Sequence, residues 1–351
     1  MMTRLSKSLP TLITALLLTQ TAAAFQAGWQ EIRIAGPSAD LPATTVALYY
    51  PTQAPARAIS MGPFTPHVAA GATPEPGLKG LIVLSHGTGG SELGHSRLAE
   101  GLAEAGYLVA ALRHPRDNWQ DQSLLAGSPE TYFTERPRQV SRVIDALLRD
   151  PQWKDRIARD NRGPRIGAVG HSAGGYTVLA LAGGQPDVAR IARHCDTERA
   201  ADPIFCATGR MAEAATPPQA PQQPSAPLVD PRMRAEVADT RVRAVVALAP
   251  VGVVFTAQSL AAIRLPVAVY SADKDRWLVP RFHAEWIARS LPGADLRRVP
   301  NAWHFAFMDT PGMAIATPDG DIAADPPGFD RAVFLQQLGQ ELVAFFDKTL
   351  K

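Results

Sequence analysis

Five short, almost purely apolar runs set the terms on which this chain can fold: Gly80–Ser85 (GLIVLS), Tyr107–Leu112 (YLVAAL), Arg165–Gly170 (RIGAVG), Val242–Leu248 and Val267–Tyr270. Each is too short for a packed helix and lacks the alternation of a strand with one wet face. Each therefore reads as a strand buried on both sides. Helical spacing fills the intervals: Leu98–Ala105, Arg138–Leu148 with Val140, Val143, Ile144 and Leu147 on one face, Tyr176–Ala182, Phe282–Leu291, and a closing amphipathic Arg331–Leu350. Trp29–Ile34, Thr44–Tyr50 and Asp295–Val299 add three more strands. Strands alternating with helices imply an α/β fold, a mainly parallel sheet covered on both faces. The stretch Pro51–Gly77, rich in Pro, Ala and Gly, reads as an irregular surface connection. No internal repeat is visible.

The first two dozen residues follow other rules. Arg4 and Lys7 precede an apolar run, Leu9–Leu18, that ends in Ala22-Ala23-Ala24. A basic start, a short apolar centre and a small-residue end describe a secretory signal cut near Ala24. The run is short for a bilayer and holds Pro10, and no later apolar span is long enough to cross a membrane. No cysteine follows it to carry a lipid. The expected product is an exported protein, periplasmic or secreted, comprising residues 25–351. Without Arg4 and Lys7 the chain has 33 basic and 33 acidic residues. That balance, with no clustered Lys and Arg, argues against a nucleic-acid partner.

Residues 185–240 form a long insertion holding both cysteines, Cys195 and Cys206, and the Pro-rich run Thr216–Pro227. An even cysteine count in an exported chain predicts a local Cys195–Cys206 disulfide. The Pro-rich run favours extended conformation and reads as a surface loop that influences substrate access.

The chemistry centres on Gly170-His171-Ser172-Ala173-Gly174, which leaves one predicted strand and opens one predicted helix. That context makes a nucleophile elbow, a turn tight enough to exclude Cβ atoms on either side of Ser172 and strained enough to lift the serine clear of the sheet. Gly175 reads as added room for substrate. A serine hydroxyl needs a base with a carboxylate behind it, in the chain order nucleophile, acid, histidine. His304, after the last strand and before the closing helix, stands where the base belongs. His86, His114, His194 and His283 read as loop or surface residues, and His171 cannot turn back on its neighbour. The strand Val267–Tyr270 leads to Asp273 and Asp275. Asp275 is the expected acid, a few residues past the strand, with Asp273 the alternative. The oxyanion donors are expected to be the N–H groups of Ala173 and of Thr88, in the Gly-rich loop Ser85–Gly90. That loop lacks the spacing of a phosphate-binding or dinucleotide motif.

On Tyr50-Pro-Thr52, Leu84-Ser-His-Gly87, Gly170–Tyr176, Ala272–Asp275 and Trp303-His-Phe305, the chain resembles the α/β-hydrolase superfamily. More narrowly it resembles bacterial exported proteins described as predicted dienelactone hydrolases, related to plasma-type platelet-activating factor acetylhydrolases. The resemblance implies hydrolysis of a small-molecule or lipid-like carboxylic ester through an acyl-enzyme, without metal or organic cofactor. It departs at one point: true dienelactone hydrolases use a cysteine nucleophile, and here the elbow carries Ser172. A serine peptidase of the same fold would be expected to carry a substrate-selecting domain, and none is visible. A non-catalytic exported binding protein would be expected to lack part of the triad.

Overall fold

The computed structural model describes residues 24–38, 41–207 and 237–351. The leader read over residues 1–24, Ala24 aside, and the Pro-rich run Thr216–Pro227 lie outside the described residues.

Ten strands form one sheet: β1 (Gln26–Ile34), β2 (Thr44–Thr52), β3 (Arg57–Ala58), β4 (His67–Ala70), β5 (Leu81–Ser85), β6 (Leu108–Arg113), β7 (Ile166–His171), β8 (Val242–Leu248), β9 (Val267–Ala272) and β10 (Asp295–Val299). Their order across the sheet is β10-β9-β8-β7-β5-β6-β2-β1-β4-β3. From β6 to β10 all neighbours are parallel, and β2 closes that block antiparallel to β6. The five runs read as buried strands are β5 to β9. Pro51–Gly77 is not wholly irregular, since β3 and β4 extend the sheet edge there. Strands of two and four residues leave no periodicity to read.

Alternation along the strands divides the core. Leu81 and Val83 of β5 face one side with α2 (Pro129–Arg149) and α3 (Ala173–Leu181), while Ile82 and Leu84 face the other with α1 (Ser96–Glu104) and the closing helix Arg331–Thr349. Burial on both faces explains why these strands show no polar alternation.

Helix α2 starts nine residues before the Arg138 at which helical spacing becomes legible, because Pro137 lies inside it. A proline has no N–H to give the carbonyl four residues back, and it normally marks a helix start. Here the Phe133 carbonyl it abandons accepts the Tyr176 hydroxyl from α3 at 2.6 Å. Ser128 caps the true start, its Oγ accepting the Thr131 N–H.

The connection order places the functional loops. The chain runs from β5 outward to β6, then returns to the other flank of β5 as β7. Ligand crevices in open parallel sheets form at such reversals, beyond the carboxyl ends of the strands. Ser85 and Gly170 are paired across that point. The loop after β5 and the turn after β7 therefore leave the sheet side by side.

Candidate active site

Ser172 occupies the turn between β7 and α3 at φ 57°, ψ −118°. An L-residue rarely holds this conformation, which costs about 1–3 kcal/mol and persists only where the surroundings impose it. They do: Ser172 N–H donates to Leu248 O at 2.9 Å, and its carbonyl accepts the Val251 N–H at 3.1 Å. The flanking glycines are obligatory. A Cβ on Gly170 would sit 2.0 Å from Gly174 O, and one on Gly174 would sit 1.9 Å from Ser85 O. Gly175 has a different role from the one its sequence position implies. A Cβ there would meet Pro250 at 2.6 Å, so it lets β8's outgoing loop close on α3 rather than making room for substrate.

Asp275 and His304 come together after β9 and β10. His304 Nδ1 lies 2.7 Å from Asp275 Oδ2, and both side chains are 2% exposed. Asp275 Oδ1 accepts the N–H groups of Trp277 and Leu278 at 2.9 and 2.8 Å. A carboxylate so engaged only accepts, so Nδ1 carries the ring proton and Nε2 keeps a free lone pair. The His304 ring is clamped between Trp277, 6.1 Å away and nearly parallel, and His171, 4.8 Å away. His171 Nε2 also lies 3.0 Å from the His304 carbonyl, which ties the base loop to the residue before Ser172. Asp273 is exposed and uses its N–H to bond Val299 O. The structure thus brings Asp275, not Asp273, to His304.

The loop after β5 passes beside the serine. A Cβ on Gly87 would lie 3.0 Å from that of Ser172. The Thr88 N–H has no backbone acceptor among the described residues, and Ala173, first residue of α3, has no intrahelical one. Two free donors beside a strained serine can donate to an oxygen on which negative charge develops.

Beneath this loop is a network that sequence reading missed. Arg136 and Asp117 form an ion pair with both side chains 0% exposed. Arg136 also reaches the His86 carbonyl and, at 3.1 Å, Thr177 Oγ1. Asp117 accepts the Gly89 N–H at 2.9 Å and the Tyr132 hydroxyl at 2.9 Å, and Tyr132 Oη lies 2.8 Å from Thr88 Oγ1. The one available signal was a charged residue inside a helix whose start Pro137 hid.

Apart from the exposed His67, the remaining histidines are not surface residues. His86, His95, His114 and His283 are all at most 2% exposed, as is His171. Burial pushes His86 down to about 3 and His95 to about 4, and holds His114 and His171 well below the usual imidazole value. They stay neutral and serve as fixed hydrogen-bonding parts. His114 bridges Ser85 Oγ and Gln139 Oε1 at 2.7 Å each.

Cys195 and Cys206 are disulfide-bonded, as expected. Among the described residues no group of three or more His, Cys, Asp or Glu is placed to hold a metal ion, and no helix is long and apolar enough to cross a membrane.

The chain belongs to the Alpha/beta hydrolase family, whose model matches residues 82–317, a span that includes Thr88, Ser172, Asp275 and His304. Among solved structures it is similar to a ferulic acid esterase from Streptomyces cinnamoneus, at 22% identity and a TM-score of 0.60, covering 95% of this chain and 92% of that one. It is also similar to a dienelactone hydrolase from Anabaena variabilis, at 15% identity, TM-score 0.47, 93% of this chain and 100% of that one. A predicted CIB-like hydrolase from Thermoplasma acidophilum matches at 13% identity, TM-score 0.46, 91% and 99%. No curated protein sequence matches the chain. At 22% identity the likeness to the ferulic acid esterase speaks for the fold alone.

Proposed function

We propose that this protein is an exported hydrolase of carboxylic esters acting through an acyl-enzyme. Ser172 is the nucleophile, His304 the base, Asp275 the group that orients it, and the N–H groups of Thr88 and Ala173 the oxyanion donors. The observation that carries this reading is the buried Asp275–His304 pair, which leaves Nε2 as the free nitrogen, beside the strained turn of Ser172.

In the first half-reaction Ser172 Oγ bonds to the acyl carbon while its proton passes to His304 Nε2. The carbonyl oxygen takes the negative charge, which the two N–H groups stabilise. As the tetrahedral species collapses, the alcohol leaves with the proton from His304. Water then repeats the sequence on the acyl-enzyme and restores the serine. Asp275 remains ionised throughout and stabilises the imidazolium.

The narrower resemblance to dienelactone-hydrolase-like and plasma-type acetylhydrolase-like proteins belongs to this proposal, as does a small-molecule or lipid-like substrate. The leader pattern supports export, and a disulfide agrees with an oxidising compartment. The test is fluorophosphonate labelling of the mature protein, followed by a panel of esters and peptide amides. Labelling at Ser172 with ester turnover is expected. Amide turnover exceeding ester turnover would assign a peptidase, and no labelling would point to a binding protein.

A further inference from the structure

We propose that the buried Asp117–Arg136–Tyr132 network is the positioning device of the oxyanion loop, holding the Thr88 N–H on the acyl oxygen. This rests on the reading of Thr88 as an oxyanion donor and deepens it.

An ion pair with both partners fully buried is a poor way to stabilise a fold. Its desolvation roughly cancels its attraction, and apolar residues of similar size often serve as well or better. What distinguishes this pair is where its remaining bonds go. Arg136 Nη2 reaches the His86 carbonyl and lies 3.4 Å from Ser85 Oγ, both at the entry to the loop. Asp117 Oδ1 takes the Gly89 N–H at its exit. Arg136 Nε donates to Thr177 Oγ1 on α3, the helix that begins at Ala173. One cation is thus bonded to the elements that carry both oxyanion donors.

Tyr132 completes the clamp. Its hydroxyl donates to Asp117 Oδ2, which can only accept, and so must accept from the Thr88 hydroxyl. Thr88 is therefore gripped by its side chain, and the next residue by its N–H. The Thr88 N–H between these grips is left for a ligand. Misplacing a catalytic group by about 1 Å can cost on the order of 10²-fold in rate. Such a network earns its place through geometry.

Tyr132→Phe removes one oxygen atom and keeps the ring packed against Phe133 at 5.2 Å. The second-order rate of fluorophosphonate labelling and kcat on p-nitrophenyl acetate should each fall about 10-fold or more, with KM little changed. Affinity for a trifluoromethyl ketone, which forms the tetrahedral adduct, should fall in parallel. Thr88→Val should reproduce the loss, and the double variant should be no worse than either single one, since all three cut the same link. If Tyr132→Phe fails to fold, Thr88→Val carries the same measurements. Wild-type labelling rate and kcat in Tyr132→Phe, or full additivity with Thr88→Val, would overturn the positioning role while leaving the esterase reading intact. Absence of labelling at Ser172 in the wild-type protein would instead remove the reading on which it rests.

Discussion

Among the described residues two buried Asp–His pairs differ in what surrounds them. Asp275 bonds His304 at 2.7 Å and Asp202 bonds His283 at 2.9 Å, each with almost no solvent exposure. In the first, the carboxylate takes Nδ1 and leaves Nε2 free. In the second it takes Nε2, while Nδ1 accepts the Gly252 N–H at 3.1 Å, so both ring nitrogens are used. Asp202 is also shared with His194 at 2.8 Å and sits inside the loop closed by Cys195 and Cys206. A carboxylate behind an imidazole is therefore no mark of catalysis. What matters is which nitrogen is left and whether a strained serine stands near it.

The comparison breaks most directly at the first pair. Ser172→Ala and His304→Ala should each leave a folded protein with ester turnover reduced by about 10³-fold or more, as for members of one catalytic unit. Asp275→Asn should approach that loss and Asp273→Asn should change turnover only mildly, both measured on purified protein with matched circular dichroism. The opposite ranking would hand the acid role to the exposed carboxylate.

At the second pair the damage should move from rate to stability. Asp202→Ala removes the acceptor shared by the buried His283 and the half-buried His194 and should cost about 2–4 kcal/mol of folding free energy, with kcat within a few-fold of wild type. Equal loss of kcat in a still-folded protein would mean that the pairs are functionally alike. Opening the disulfide with Cys195→Ser and Cys206→Ser together should cost less, about 2–3 kcal/mol from loop closure. An unchanged denaturation midpoint in the double variant would show that the loop is held by Asp202 alone.

The remaining effect is the most diffuse. His86 and His95 have folded values depressed to about 3 and about 4, so their contributions are intact above the unfolded value near 6.5 and are lost as pH falls toward the folded ones. His114 and His171 act in the same direction. Burial raises Glu100 to about 7 and Asp309 to about 6, and these two oppose the trend as pH falls from 7 to their unfolded values. Four histidines outweigh two carboxylates, so stability should decline below pH 6.5, by about 1.4 kcal/mol per pH unit for each net proton. A melting temperature that rises between pH 6.5 and 5 would reverse that balance.

Much of this architecture is written in local pattern. The strand Val242–Leu248 begins and ends where hydrophobicity does, because a strand buried on both faces can carry little else. The elbow motif is equally legible: a Cβ at Gly170 would collide with Gly174 O inside the turn itself, while one at Gly174 would meet Ser85 O on the neighbouring strand. His304 is legible from chain order alone. Spacing favoured Asp275 but left Asp273 open, because a single loop residue, Lys274, separates an exposed carboxylate from a buried one, and the approach of His304 from beyond β10 distinguishes them. Asp117, Tyr132 and Arg136 carry no common motif. They meet because β6 and α2 fold back under the loop after β5, and burial then makes each group demand a partner. Periodicity and sterics are properties of neighbouring residues, so the sequence determined the sheet, its turns and the serine. Desolvation depends on everything that packs around a group, and only the tertiary structure decided which carboxylate and which arginine would be enclosed with that serine.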